Sequence, residues 1–266
     1  MSVYRADPKD GVAWITGASS GIGRQLALDL ARDGYTVAAT ARSESKLATL
    51  SAEAVAFKGK IIPYAADVTN PAAMDHAVAA IESSLGPIVL AIFNAGNYYP
   101  TRGDHLVAEK FVQTYEINVF GVMYGLVPVV ARMEAHGRGQ VAITGSVSGY
   151  GGLPMASAYG ASKAALINMA AALKFDFDPM NIRIQIINPG FIETPLTEKN
   201  NFPMPALMQV DDASKRIVQG LKTGGFELTF PRRLSWTLKA INMLPYALYF
   251  PLMAKIMGWD KGRIRK

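Results

Sequence analysis

Short runs of apolar and β-branched residues alternate along this chain with longer stretches whose apolar positions recur every three to four residues. The first pattern predicts buried strands and the second amphipathic helices. Strands are expected over 12–16, 35–41, 60–65, 88–93, 139–144, 182–187 and 226–230. Helices are expected over 22–31, 44–57, 71–85, 107–134, 157–177 and 211–221. Gly34 closes the first helix, Pro71 sits in the opening turn of the third, and Asp211 or Asp212 supplies an N-cap for the last. Seven short, nearly continuously apolar strands with helices between them imply an α/β fold. Its sheet should be doubly wound, mostly parallel and covered on both faces. In such sheets ligands bind beyond the carboxyl ends of the strands, where strand order switches. The residues to inspect therefore follow Thr16, Ala41, Ala65, Phe93, Thr144 and Ile187. With no linker, repeat or low-complexity segment before about residue 190, one domain is expected over 1–230 and a C-terminal extension, packed on or beside it, over 231–266.

The first strand runs into Thr16-Gly17-Ala18-Ser19-Ser20-Gly21-Ile22-Gly23 at the start of a helix. Gly17 permits a sharp turn, Gly21 lets backbone approach a pyrophosphate, and Gly23 lets the helix lie close on the sheet. The helix N-terminus then faces the anion. The spacing is GxxxGxG rather than the general GxGxxG, and a purely packing role for these glycines is the competing reading. The second strand ends Thr40-Ala41-Arg42-Ser43. A carboxylate there would hold a ribose 2′-hydroxyl, whereas an arginine suits a 2′-phosphate. Arg42 stands at that place and Glu44 comes only at the helix start, so NADP(H) is expected over NAD(H).

Further polar motifs follow the later strands in order: Asn94-Ala95-Gly96, Asn118 in the middle helix, Ser146, Tyr159-Gly160-Ala161-Ser162-Lys163, and Asn188-Pro189-Gly190 with Thr194 beyond. Tyr159 and Lys163 are four residues apart on one helix face, so their side chains converge. A neighbouring ammonium and an oxidised nicotinamide ring would favour phenolate and lower the tyrosine pKa from its usual value near 10. Each residue also has a plain reading, as a turn hydroxyl, a half-buried aromatic or a solvated cation. Asn118 is the hardest to dismiss, because asparagine is unfavourable inside a helix.

Taken together over about residues 12–230, these motifs resemble the short-chain dehydrogenase/reductase family. The resemblance implies a Rossmann-type sheet, a nicotinamide cofactor and an active site of Ser146, Tyr159, Lys163 and Asn118. It prefers Ser146 over Ser148, since the family's serine stands thirteen residues before its tyrosine. On the cofactor side it implies Gly17, Ser19, Ser20, Gly21, Ile22, Gly23, Arg42, Asp67, Val68, Asn94, Ala95, Gly96, Tyr159, Lys163, Pro189, Gly190, Ile192 and Thr194. Tyr159 would be the general acid/base and Ser146 would polarise the carbonyl. Lys163 would hold ribose hydroxyls, and Asn118 would hold a water in a proton relay. Members often carry a second basic residue just before the second glycine. Here that residue is Ser20, with Arg24 as a nearby substitute. The activity implied is hydride transfer between NADP(H) and a carbonyl or secondary alcohol. The alternative is a catalytically inactive NADP-binding sensor or scaffold.

The resemblance also implies a mobile lid at about 191–210. Phe191, Ile192, Phe202, Met204, Leu207 and Met208 make that stretch apolar, and Pro203 and Pro205 keep it irregular. With Val147, Leu153, Pro154 and Met155 between Ser146 and Tyr159, it suits a lipophilic substrate. A homodimer or homotetramer is implied through the two long central helices, the second bearing Ala164, Ala165, Ala171, Ala172 and Phe175.

Composition adds limits. Of 266 residues, half are hydrophobic and 18% are charged, so whole-chain disorder is excluded. There is no cysteine, which removes disulfides and thiolate chemistry; His76, His105 and His136 lack metal-like spacing, so no metal is expected. Charge is uneven. From Arg232 onward eight cations face one acid, Asp260, for a net +7, while the rest of the chain nets −1. A diffuse nucleic-acid footprint does not fit that distribution. No secretory signal is expected from the charged N-terminus, and no apolar run reaches a membrane span of roughly 18 residues. The expected location is the cytoplasm. Within the basic tail, the apolar stretch 241–258 carries Tyr246, Tyr249 and Phe250, between Trp236 and Trp259. Two readings stand side by side: contact with a membrane surface, or helices packed over the lid or a partner subunit.

Overall fold

A computed structural model describes residues 3–199 and 204–259. The expected seven strands all form: β1 (Val12–Thr16), β2 (Thr36–Ala41), β3 (Lys60–Ala65), β4 (Ile88–Phe93), β5 (Gly139–Thr144), β6 (Ile182–Pro189) and β7 (Glu227–Phe230). They make one parallel sheet in the order β3-β2-β1-β4-β5-β6-β7. Strand order reverses between β1 and β4, which opens the crevice at their carboxyl ends.

Side chains alternate between two cores. Ala13 and Ile15 of β1 and Leu90 and Ile92 of β4 join one core with α1 (Gly21–Arg32), α2 (Glu44–Glu53) and α7 (Val210–Thr223). Trp14, Ala91 and Phe93 join the other with α3 (Pro71–Leu85), α5 (Gly121–Ala135) and α6 (Ser157–Phe177). The period of two along each strand thus feeds both faces, which is why the strands read as unbroken apolar runs.

The middle helix is helical throughout, as expected, but not uniform. It consists of α4 (Ala108–Tyr115), a π-helical turn at Glu116–Phe120, and α5. By length and composition the span Ala108–Ala135 is apolar enough to cross a membrane. Here it flanks the sheet, with Gly125 so close to Phe93, Met74 and Trp14 that a Cβ would collide with all three. Most boundaries fall within two residues of expectation, and two helix ends differ in kind. Helix α2 ends at Glu53 rather than near Phe57, with Ala54 as its C-cap. Helix α7 is capped by Gln209, so Asp211 and Asp212 lie in its first turn, where they complement the helix dipole. Two further helices close the described chain, α8 (Arg232–Asn242) and α9 (Tyr246–Ile256).

Candidate active site

The glycine turn leads from β1 into α1. Gly17 has φ +69°, and a Cβ there would lie 2.7 Å from the Ala95 Cα. At Gly23 a Cβ would lie 2.4 Å from both the Gly17 carbonyl oxygen and the Asn94 Nδ2. Only glycine lets helix, turn and β4 loop meet this closely. Thr16 fixes the same loop, its Oγ1 accepting from the Asn94 and Ala95 amides at 3.1 and 3.2 Å.

A cavity of about 490 Å³ runs from this turn across the switch point to Tyr159 and Lys163. That volume lies within the roughly 300–1,000 Å³ usual for ligand sites. Every expected cofactor-side residue except Gly23 lines it, together with Ser146. Gly23 and Asn118 stand behind the wall. Asn97, Thr144, Gly145, Pro195, Leu196 and Thr197 also line it, and sequence reasoning had not singled them out. Thr144 Oγ1 is buried with no hydrogen-bond partner. A buried polar atom beside a polar crevice invites a ligand partner. At the β2 end, Arg42 is exposed and its side chain forms no ion pair among the described residues. Arg24, the expected substitute cation, is instead engaged with Glu53 of α2. Ser43 caps α2 through its Oγ, and Asp67 turns one carboxylate oxygen onto the Thr69 amide and hydroxyl at 3.0 and 2.8 Å.

At the other end of the cavity, four predicted residues gather from three segments. Ser146 is buried just past β5, its Oγ accepting from the Ser148 amide at 3.1 Å. Tyr159 and Lys163 project from the first turns of α6, with the Lys163 Nζ 5.6 Å from the Tyr159 ring centre. Lys163 is buried and donates to the Thr144 carbonyl oxygen at 2.7 Å. Burial lowers its pKa to about 8. Tyr159 departs from expectation. Burial raises its phenol to about 12, the Ser146 hydroxyl only partly opposing this and Tyr98 adding to it. The expected lowering by Lys163 does not dominate, because the ammonium is aimed at the Thr144 carbonyl.

Asn118 sits in the π turn and is fully buried. Its Oδ1 accepts from the Asn97 amide at 2.7 Å; its Nδ2 donates to the Asn97 carbonyl and the Ser162 hydroxyl, both at 3.0 Å. It therefore clamps the backbone of the β4 loop rather than reaching the reacting centre itself. A Cβ on Gly96 would lie 3.4 Å from Asn118 Oδ1 and 3.6 Å from Lys163 Nζ, so all three meet at that glycine. The extra residue of a π turn re-aims a side chain that a regular helix would place elsewhere.

Beside Ser146 and Tyr159 opens a smaller pocket of about 70 Å³, walled by Tyr98, Val147, Leu153, Pro154, Phe191, Leu196 and Met257. The Tyr98 and Tyr159 rings meet edge to face, 5.2 Å between centres. Neither Tyr98 nor Met257 was marked by the sequence. The lid segment is only partly as expected. Ile192 and Met208 bridge its two ends, Met208 packs on the α1–α7 core, and Leu207 is exposed. Phe202 and Pro203 lie outside the described residues. No group of three or more histidines and carboxylates able to hold a metal occurs among the described residues.

Residues 11–204 match the family model described as short chain dehydrogenase. The chain is 36% identical over 237 residues to an uncharacterized oxidoreductase of Myxococcus xanthus, covering 89% of this chain and 94% of that protein. It is 35% identical over 188 residues to a 3-oxoacyl-acyl-carrier-protein reductase of Thermotoga maritima, covering 71% and 76%. Among solved structures it resembles an alcohol dehydrogenase of Thermococcus sibiricus complexed with 5-hydroxy-NADP. There the TM-score is 0.75 and the identity 26%, over 83% of this chain and 95% of that one.

Proposed function

This chain belongs to the short-chain dehydrogenase/reductase family of oxidoreductases, and on that premise we propose that it reduces a lipophilic ketone, or oxidises the matching secondary alcohol, with NADP(H). The observation that carries this reading is the meeting of Ser146, Tyr159 and Lys163 at one end of a cavity whose other end is the glycine turn and Arg42. When bound, the nicotinamide supplies or accepts the hydride. The residues fit such a cofactor. The turn opens onto the N-terminus of α1, and among the described residues Thr144 Oγ1 has no hydrogen-bond partner and Arg42 no ion pair, so both are available to such a ligand. NADP(H) is favoured over NAD(H) because no carboxylate occupies the end of β2.

In reduction, Ser146 donates a hydrogen bond to the substrate oxygen and polarises it. Tyr159 gives that oxygen its phenolic proton as negative charge develops there. A phenol held near 12 retains its proton at neutral pH, which suits the acid role. Lys163, protonated below about pH 8, steadies the phenolate left behind and offers hydrogen bonds to ribose hydroxyls. Asn118 holds the Asn97 backbone in place beside them. The apolar walls of the small pocket, Tyr98, Leu153, Phe191 and Met257, favour a hydrocarbon substituent on the carbonyl. The Thermotoga maritima relative is a 3-oxoacyl-acyl-carrier-protein reductase, and the pocket suits a comparable apolar group. A panel of ketones of graded chain length, assayed with NADPH, tests the proposal. Rates should rise with chain length, and preference for short polar carbonyls would refute the lipophilic assignment.

A further inference from the structure

The inner faces of α8 and α9 are accounted for. Ile241, Tyr249 and Met253 are buried in a small core with Leu153, Leu238, Leu244 and Met257. Tyr249 donates its hydroxyl to the Gly152 carbonyl oxygen at 2.8 Å, and Lys239 pairs with Glu227. The outer face is another matter. Trp236, Met243, Tyr246, Leu248, Phe250 and Ile256 are each more than half exposed, at 64, 85, 75, 58, 60 and 52%. Tyr246 and Phe250 stack with ring centres 5.5 Å apart, forming an aromatic ledge on α9. These six large apolar side chains exposed between residues 236 and 256, two of them stacked, mark this segment as a contact surface.

We propose that this outward face of α8 and α9 docks the protein on an anionic lipid surface. Charge selects the partner. No aspartate or glutamate occurs from residue 228 to 259, whereas Arg232, Arg233 and Lys255 are exposed there. The sequence then adds Lys261, Arg263, Arg265 and Lys266 against the single Asp260. Tyrosine and tryptophan favour the interface between headgroups and acyl chains, and clustered cations attract anionic lipid. Each helix has 11 residues, about 16 Å of length against a hydrocarbon core of about 30 Å, so the helices lie on the surface rather than span it. A second copy is the poorer occupant, since a self-contact here would set these cations against their own counterparts without any acid to answer them. Met257, the residue that follows α9, forms part of the wall of the substrate pocket. Docking therefore places that wall beside the lipid phase, where a lipophilic substrate would partition. This last step rests on the function proposed above, whereas the docking itself does not.

Vesicle sedimentation of the full chain, without substrate or cofactor, tests the docking independently of any activity. Vesicles of phosphatidylcholine alone are compared with vesicles that also contain phosphatidylserine. The protein should pellet with the anionic vesicles at low ionic strength, be released several-fold by added salt, and stay largely soluble with neutral ones. Tyr246→Asp with Phe250→Asp changes two exposed side chains and should abolish pelleting while leaving the melting temperature and secondary structure intact. Should that pair unfold the chain, Arg232→Glu with Arg233→Glu tests the same surface by charge alone. The proposal is overturned if wild type stays in the supernatant with both compositions, or pellets equally with neutral vesicles. It is also overturned if the Asp pair leaves pelleting unchanged or only lowers the oligomeric mass, which would assign the face to a second copy.

Discussion

Tyr150 donates its hydroxyl to the Glu227 carboxylate across 2.6 Å, joining the segment between Ser146 and Tyr159 to the last strand of the sheet. The same carboxylate accepts from Asn188 at 2.8 Å and pairs with Lys239 of α8. Burial alone would raise the Glu227 carboxyl, but Lys239, Tyr150 and Asn188 together hold it below the ordinary range. The substrate-side segment is thus tied both to β7 and to the C-terminal helices.

Breaking that tie should be felt in stability first. Tyr150→Phe removes the hydroxyl that reaches Glu227 and Thr229 and leaves a half-buried carboxylate one donor short. A loss of about 1–3 kcal/mol is expected in urea unfolding. KM should rise more than kcat falls, because Leu153 of the same segment walls the substrate pocket. Because Glu227 is held low, its contribution is fully present above the ordinary carboxylate pKa and is lost as pH falls below it. An unchanged urea midpoint would remove the tie from the account.

The proposed preference for NADP(H) rests on Arg42. Arg24, the other cation near the glycine turn, is committed to Glu53. Arg42→Ala should lower the ratio of kcat/KM for NADPH over NADH by about 10–100-fold, the effect of losing about 1.5–3 kcal/mol of charged hydrogen bonding. An unchanged ratio, or a wild-type preference for NADH, counts against the 2′-phosphate assignment.

The buried Lys163 ammonium has a pH signature of its own. Its pKa is about 8 in the folded chain against an ordinary 10.5. Below about pH 8 both folded and unfolded states bind the proton, and the cost of burying the charge is fully present. Between the two values the unfolded chain binds more proton, so stability rises with pH. Measured against Lys163→Met, wild type should gain up to about 3 kcal/mol of unfolding free energy between pH 8 and 10.5. A flat difference across that range would mean that Lys163 is not buried as a charge.

A third surface concerns assembly, which is common in this family. Val127 of α5 and Phe175 of α6 are 64 and 83% exposed, and Ala164 and Ala172 are exposed on the same helix as Phe175. Light scattering at micromolar concentration should give a dimer or tetramer, and Val127→Glu with Phe175→Glu should reduce the mass to one chain. A wild-type mass of a single chain contradicts the assembly.

The sheet was legible because its buried parallel strands write their apolar character without interruption. The residues that line the large cavity were legible because most of their motifs follow strand ends. What escaped the sequence arises where side chains from distant segments meet. A 3.6-residue period carries no mark of the π turn at Glu116–Phe120, so Asn118 read as a proton-relay residue and its clamp on the Asn97 backbone went unseen. Tyr98 follows a motif without belonging to it. Glu227 and Tyr150 are 77 residues apart. Arg24 looked free for the cofactor until α2 brought Glu53 beside it. The Tyr159 phenol was expected to be lowered by Lys163 and an oxidised nicotinamide ring together; spacing says nothing of burial, which in the chain alone raises it.

The central claim is that Tyr159 is the proton donor, and turnover of Tyr159→Phe tests it most directly. Phenylalanine keeps the ring and its contact with Tyr98 while removing the proton. With NADPH and a ketone that wild type reduces, kcat should fall by about 10²–10⁴-fold, while NADPH binding, followed by nucleotide fluorescence, stays near wild type. Turnover close to wild type in the variant would contradict the account.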